Sequence, residues 1–133
     1  IEPASNTTGT ATLDLQAYTC LPGMIDTHVH LDMYPEDAED YRIYLKRTPE
    51  DTRAIALDNA RITLEAGFTS VRHIGSYLAW VDRDTKASIE SGQAIGPRIQ
   101  VAGFYLTIPH GGGDLTIPGV DDDNSAVGHH AGP

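Results

Sequence analysis

A chain of 133 residues, 40% hydrophobic and 21% charged, has the size and composition of one globular domain and not of a disordered segment. Its 19 acidic and 9 basic side chains leave a formal charge of -10, a field that repels phosphate backbones and anionic lipid, so we expect neither nucleic acid nor membrane as a partner. No transmembrane run is present, and the single cysteine, Cys20, excludes an internal disulfide and a cysteine-rich metal site, so any metal must take His, Asp or Glu.

In chain order, residues 1–10 are polar and read as a tail or loop, and Ala11 to Tyr18 as a short strand. Leu21-Pro22-Gly23 is a turn signal, because proline fixes one dihedral and glycine frees the next. Met24 to Leu31 is an apolar, partly alternating run expected to be a buried strand. Residues 33–47 are acidic and aromatic, with Tyr34, Tyr41 and Tyr44, and predict a loop with a helical turn. A helix should start at Thr48, which caps; Pro49 suits the first helical position and Asp51 stands where a capping-box acid reaches back. Ala56, Leu57, Ala60 and Leu64 make its apolar stripe, and Gly67 its stop. A second strand over Phe68 to Ile74, a helix over about residues 80–91 closed by Gly92, and a third strand over Pro97 to Leu106 follow. Then come the glycine-rich stretch His110-Gly111-Gly112-Gly113-Asp114 and, beyond Asp121, a polar loop without a core of its own. Alternating strands and helices predict a parallel α/β sheet, here small and with two open edges.

On a strand, residues two apart share a side, so His28 and His30 present two imidazoles to one face, about 6–7 Å apart at the backbone. Two rings converging from that distance reach a common ion through bonds of about 2.0–2.1 Å. Asp26 and Asp32 share their parity, while Ile25, Val29 and Leu31 face the other way, toward a covering helix. The competing reading is two half-buried, hydrogen-bonded histidines in a sheet.

The run Cys20-Leu21-Pro22-Gly23-Met24-Ile25-Asp26-Thr27-His28-Val29-His30-Leu31 resembles the first-strand motif of the amidohydrolase superfamily, where a Leu-Pro-Gly turn feeds a strand ending in His-x-His. Leu64-Glu65-Ala66-Gly67-Phe68-Thr69-Ser70-Val71-Arg72 resembles its passage into strand two. Ser91-Gly92-Gln93-Ala94-Ile95-Gly96-Pro97-Arg98-Ile99 resembles the entry to strand three in the imidazolonepropionase-like and Xaa-Pro dipeptidase-like branch. The resemblance runs from about Leu13 to Asp114. It implies a (β/α)8 TIM barrel with one or two divalent metals, zinc foremost, at the carboxyl ends of the strands, and His28 and His30 as ligands. It also implies that residues 1–20 are the exit from a small β module and residues 21–133 the first part of the barrel. The family's other ligands are a carboxylated lysine on strand four, histidines on strands five and six and an aspartate on strand eight. These have no matching positions, since the only lysines, Lys46 and Lys86, lie in other contexts. A barrel takes about 250 residues, so about three of eight strand–helix units are expected here, as the N-terminal fragment of a larger molecule. No residue is assigned as the catalytic acid or base.

His73 and His110 follow strands two and three, at the end of a parallel sheet where ligands bind, and are candidates for substrate contact together with Tyr105. For His73 the alternative is a strand-end hydrogen bond. The branch often has Gly-Gly-His where this chain has His110-Gly111-Gly112-Gly113, so His110 is carried over by type and not by position. His129-His130 is read as a solvated tail, and the acidic runs Glu36 to Asp40 and Asp121 to Asp123 lack the spacing of a calcium loop.

The resemblance implies hydrolysis of an amide or cyclic amide C–N bond by metal-bound hydroxide, with a dipeptide or N-acyl amino acid as the expected substrate. A lactonase or deaminase on the same scaffold is the first rival. A non-catalytic α/β interaction module is the second, distinguished by a self-contained monomeric core without metal. The open sheet edges lead us to expect association with the remainder of the same protein, a complementary chain or an oligomer. The compartment, cytoplasmic or periplasmic, stays open at this stage.

Overall fold

A computed structural model describes residues 15, 17–78, 80–108, 111, 113 and 129–130. Three parallel strands form the sheet, in the order β1 (Met24–Val29), β2 (Phe68–His73), β3 (Arg98–Gln100). Helix α1 (Pro49–Glu65) crosses from β1 to β2, and α2 (Val81–Glu90) from β2 to β3. Both crossovers lie on one side of the sheet, where Leu31, Ala56, Ala60, Val71, Val81 and Ile99 make the core with Val29, Phe68, Leu78, Ile89 and Val101 around it. The alternation of strand and helix read from the sequence is therefore the architecture observed.

Helix α1 begins as its sequence dictates. Thr48 is extended at φ -80°, ψ 160°; its hydroxyl accepts from the Asp51 amide at 3.1 Å, and the Asp51 carboxylate accepts from the Thr48 amide at 3.2 Å. That reciprocal pairing satisfies two amides that a helix start otherwise leaves open. At the other end the chain turns at Gly67, whose φ of 98° is the left-handed region that glycine enters without penalty. The buried stripe is Thr52, Ala56 and Ala60, one residue every four; these small side chains let α1 lie close to the sheet. Asn59 on the same helix donates to the carbonyls of Leu31 at 2.8 Å and Met33 at 3.0 Å, which pins the chain just past β1.

Three expectations about strands and the tail are corrected. The first strand ends at Val29, and its start is exposed, Met24 to 49% and Ile25 to 69%. It is the edge of the sheet among the described residues, and α1 covers only its carboxyl end. The third strand is three residues long, not ten. Beyond Gln100 the amides of Ala102 and Gly103 turn to the buried carboxylate of Asp82, at 3.0 and 2.8 Å, and leave the ladder. The chain resumes parallel pairing as an isolated bridge, Ser76 with Phe104, and then as β4 (Leu106–Thr107). The third correction lies there: His129–His130, expected in a tail, are β5, paired parallel with β4.

Residues 33–47 hold two short 3-10 helices, Pro35–Glu39 and Tyr41–Leu45, in place of a loop with one helical turn. The proposed strand over Ala11 to Tyr18 falls mostly outside the described residues; Tyr18 donates its amide to the Leu15 carbonyl in a turn. No helix among the described residues is long and apolar enough to cross a membrane. Removing the Thr48 hydroxyl in Thr48→Ala should lower the unfolding free energy by about 1 kcal/mol, read from urea denaturation followed by circular dichroism.

Candidate metal and substrate site at the strand ends

The carboxyl ends of β1, β2 and β3 lie side by side because the strands run parallel, and three imidazoles and a phenol gather there. The His28 and His30 rings stand 5.7 Å apart between centroids, edge to face at 78°. His30 is 6.0 Å from His73 and 6.0 Å from Tyr105, again between centroids. The β1–β2 register is irregular between Asp26 and Val29, whose partners are Val71 and His73: three steps on β1 match two on β2. Such a bulge re-aims side chains. Here the Asp26 carboxylate accepts from the His28 amide at 2.9 Å, so that amide has a side-chain partner.

Two imidazoles bound to one ion through bonds of about 2.0–2.1 Å have ring centres about 5 Å apart. The observed 5.7 Å is a small rotamer adjustment from that value. Nδ1 of His30 lies 3.3 Å from the Gly75 carbonyl and 2.9 Å from the Tyr105 hydroxyl. Donating Nδ1–H to a backbone carbonyl is how metal-bound histidines are commonly oriented, and it leaves Nε2 as the ligating lone pair. Burial, followed by the nearby His73, pushes the His30 pKa below 6.5 against the Gly75 hydrogen bond, which favours the neutral form that ligates. The donor set therefore fits a nitrogen-liganded divalent cation at two positions. Among the described residues no group of three or more His, Cys, Asp or Glu is placed to hold an ion.

Asp32 and His73 are fully interior, at 3% and 1% exposure. His73 Nε2 donates to Asp32 Oδ1 at 3.1 Å, and the Ser76 hydroxyl donates to Asp32 Oδ2. Burial raises the Asp32 pKa, but the His73 and Ser76 hydrogen bonds outweigh it and hold the carboxyl below 3.8. His73 Nδ1 has no hydrogen-bond partner among the described residues and lies 3.9 Å from Asp82 Oδ2. His73 lines neither cavity beside His30. The strand-end hydrogen bond weighed against a substrate role is the contact present. Its isolated position in the sequence carried no sign of this partnership, since Asp32 lies 41 residues away.

Tyr105 does face a cavity. About 270 Å³ opens between His30, Met33, Tyr41, Tyr44, Tyr77 and Tyr105. The rings run in sequence: Tyr41–Tyr44 at 6.3 Å, Tyr44–Tyr77 at 5.1 Å and Tyr77–Tyr105 at 4.7 Å between centroids. Gly75 makes the approach possible, because a Cβ there would collide with the Tyr105 ring, and its φ of 134° suits only glycine. Arg47 braces the loop that supplies Tyr41 and Tyr44. It pairs with Asp37 through two contacts of 2.5 and 2.7 Å, and its guanidinium sits over the rings of Tyr34 and Tyr44. Tyr34 is thus part of the bracing and not of the cavity lining. Tyr77, Ser76 and Asp82 were not singled out by sequence reasoning. The spacing of three between Tyr41 and Tyr44 was the available signal for the aromatic wall. His110 lies outside the described residues.

Parallel strands with crossover helices and polar groups at the carboxyl ends define part of a (β/α)8-type hydrolase scaffold. The chain belongs to the amidohydrolase family, whose sequence profile matches residues 19–131. It is similar to a Xaa-Pro dipeptidase with methionine bound in the active site, at 33% identity and a TM-score of 0.64, over 77% of this chain and 24% of that one. It is similar to a prolidase complexed with N-methylphosphonate-L-proline, at 25% identity and a TM-score of 0.73, over 99% of this chain and 32% of that one. A third likeness is to the A. niger ochratoxinase, at 26% identity and a TM-score of 0.60, over 71% and 21% of the two chains. No curated protein matches the chain. The chain thus spans 24% and 32% of the length of the first two structures.

Two measurements check this site. Gly75→Ala should cost more than about 1 kcal/mol, because alanine is strained at positive φ and must push Tyr105 off His30; equilibrium denaturation reads the loss. Asp37 is buried, which raises its pKa, but the Arg47 hydrogen bonds dominate and hold it below 3.8. Its contribution to stability is therefore complete above that value and lost as pH falls through the lower folded value. Urea midpoints at about pH 6 and about pH 3 should differ less in Arg47→Gln than in the unaltered protein.

Proposed function

We propose that the protein carrying this sequence is a metal-dependent hydrolase of amide C–N bonds, acting on a dipeptide or an N-acyl amino acid, with His28 and His30 as two of its metal ligands. The observation that carries the reading is the pair of imidazoles 5.7 Å apart at the carboxyl end of the first strand, in a chain of the amidohydrolase family. Zinc suits imidazole donors best among the common divalent ions that activate water. When bound, such an ion polarises the scissile carbonyl and acidifies a water to a pKa of about 7.

The chain's own residues have separate tasks. His28 and His30 hold the ion and carry no proton in the reaction. The Gly75 carbonyl accepts a hydrogen bond from Nδ1–H of His30 in the tautomer that leaves Nε2 free. Asp32, fastened to His73 and Ser76, fixes the backbone two residues beyond His30. Tyr105 sits against His30 at the cavity mouth, where a substrate carbonyl approaches, and His110 is a second candidate for substrate contact. Residues 21–133 would then be barrel, and residues 1–20 the exit from an accompanying β module. The outer edge of β1, with Ile25 69% exposed, would pair with a further strand of the same protein or of a partner copy.

Replacing both His28 and His30 with alanine in the whole protein should remove the ion at this position and lower hydrolysis of an N-acyl amino acid by at least about 100-fold. Elemental analysis of the purified variants checks it, and unchanged metal content per chain would sink the assignment.

A further inference from the structure

We propose that the tyrosine-walled cavity beside His30 is a subsite for one uncharged aromatic group of the substrate, oriented by a hydrogen bond from the Tyr44 hydroxyl. This rests on the hydrolase reading above and narrows its substrate class.

The cavity of about 270 Å³ is too large for a packing void and somewhat below the range of about 300–1,000 Å³ that holds an entire small ligand. It matches one side chain or ring. Its position is fixed by His30, which lines it, and by Tyr105, which touches both the imidazole and the Tyr77 ring. A group seated there belongs to a molecule whose reacting bond lies at the strand ends. Four phenol rings at successive centroid distances of 4.7–6.3 Å present both faces and edges, the geometry in which a further ring gains over an aliphatic group of equal size.

Neither nearby carboxylate offers a free counter-ion to an ionic side chain. The nearest carboxylates already have partners, Asp32 in His73 and Ser76, and Asp37 in Arg47. Burial also raises the pKa values of Tyr44 and Tyr77, so these walls stay neutral phenols.

The polar handle is Tyr44. It is 4% exposed, lines the cavity, and its hydroxyl has no hydrogen-bond partner among the described residues. A buried hydroxyl without a partner is costly, and such groups in native proteins commonly await water or a ligand. A ring bearing a hydroxyl or another acceptor completes it.

The test uses the whole metal-loaded protein and five probes: N-acetyl-phenylalanine, N-acetyl-tyrosine, N-acetyl-cyclohexylalanine, N-benzoyl-leucine and N-cyclohexanecarbonyl-leucine, so that a ring and its saturated analogue are offered on either side of the amide. On at least one side the aryl probe should exceed its saturated analogue about tenfold in kcat/KM. Tyr41→Ala, at a rim position 46% exposed and outside the core, should bring that ratio to within about threefold. Tyr44→Phe keeps the ring and should erase the advantage of N-acetyl-tyrosine over N-acetyl-phenylalanine. Hydrolysis with equal rates for phenyl and cyclohexyl probes overturns the subsite and leaves the hydrolase reading standing. If no probe is hydrolysed, calorimetric binding of N-acetyl-phenylalaninamide and N-acetyl-cyclohexylalaninamide decides. An aryl preference lost in Tyr41→Ala upholds the subsite without the hydrolase; equal or absent binding overturns it.

Discussion

The buried carboxylate of Asp32 is the constraint on which the strand ends depend. It stands three residues past the end of β1 and two after His30, reaches His73 at the end of β2, and takes a hydroxyl from Ser76 at the start of the next crossover. A carboxylate at 3% exposure is tolerated only with such donors, since burying an unpaired charge costs several kcal/mol. The same contacts that neutralise this cost tie β1 to β2 just beyond the candidate ligands. Removing either donor would loosen His30 as well as the core.

Asp82 performs a related task one strand further along. Its Oδ2 accepts two successive amides, Ala102 and Gly103, at the point where β3 stops pairing. That turn carries the chain back over β2 to the Ser76–Phe104 bridge and delivers Tyr105 to His30. One interior carboxylate thus holds the first two strands together, and the other aims the third strand's continuation at the site. His73 stands between them, hydrogen-bonded to one and 3.9 Å from the other.

The loop between β1 and α1 is where this chain builds its own character. Its residues could pack no apolar stripe, because charged residues and tyrosines make up most of Tyr34 to Arg47. The loop closes instead on the Arg47–Asp37 pair and on aromatic faces. Rigid planar side chains with few rotors can line a cavity at low entropic cost, which short aliphatic chains cannot do.

The sequence by itself determined the two α-helices and their alternation with the three strands of the sheet. Thr48, Pro49 and Asp51 specify a helix start through contacts within four residues, and Gly67 stops the helix by a local backbone preference. His28 and His30 were legible as a pair from their spacing of two, a local signal, while the end of the strand at Val29 and the irregular register before it were not. Only the tertiary structure decided that His73 turns inward to Asp32, that the third strand ends at Gln100, and that Tyr41, Tyr44, Tyr77 and Tyr105 share one wall. Those outcomes depend on partners 20 to 75 residues distant. A residue's own type and its near neighbours do not say which distant carboxylate or ring it will meet once the strands align.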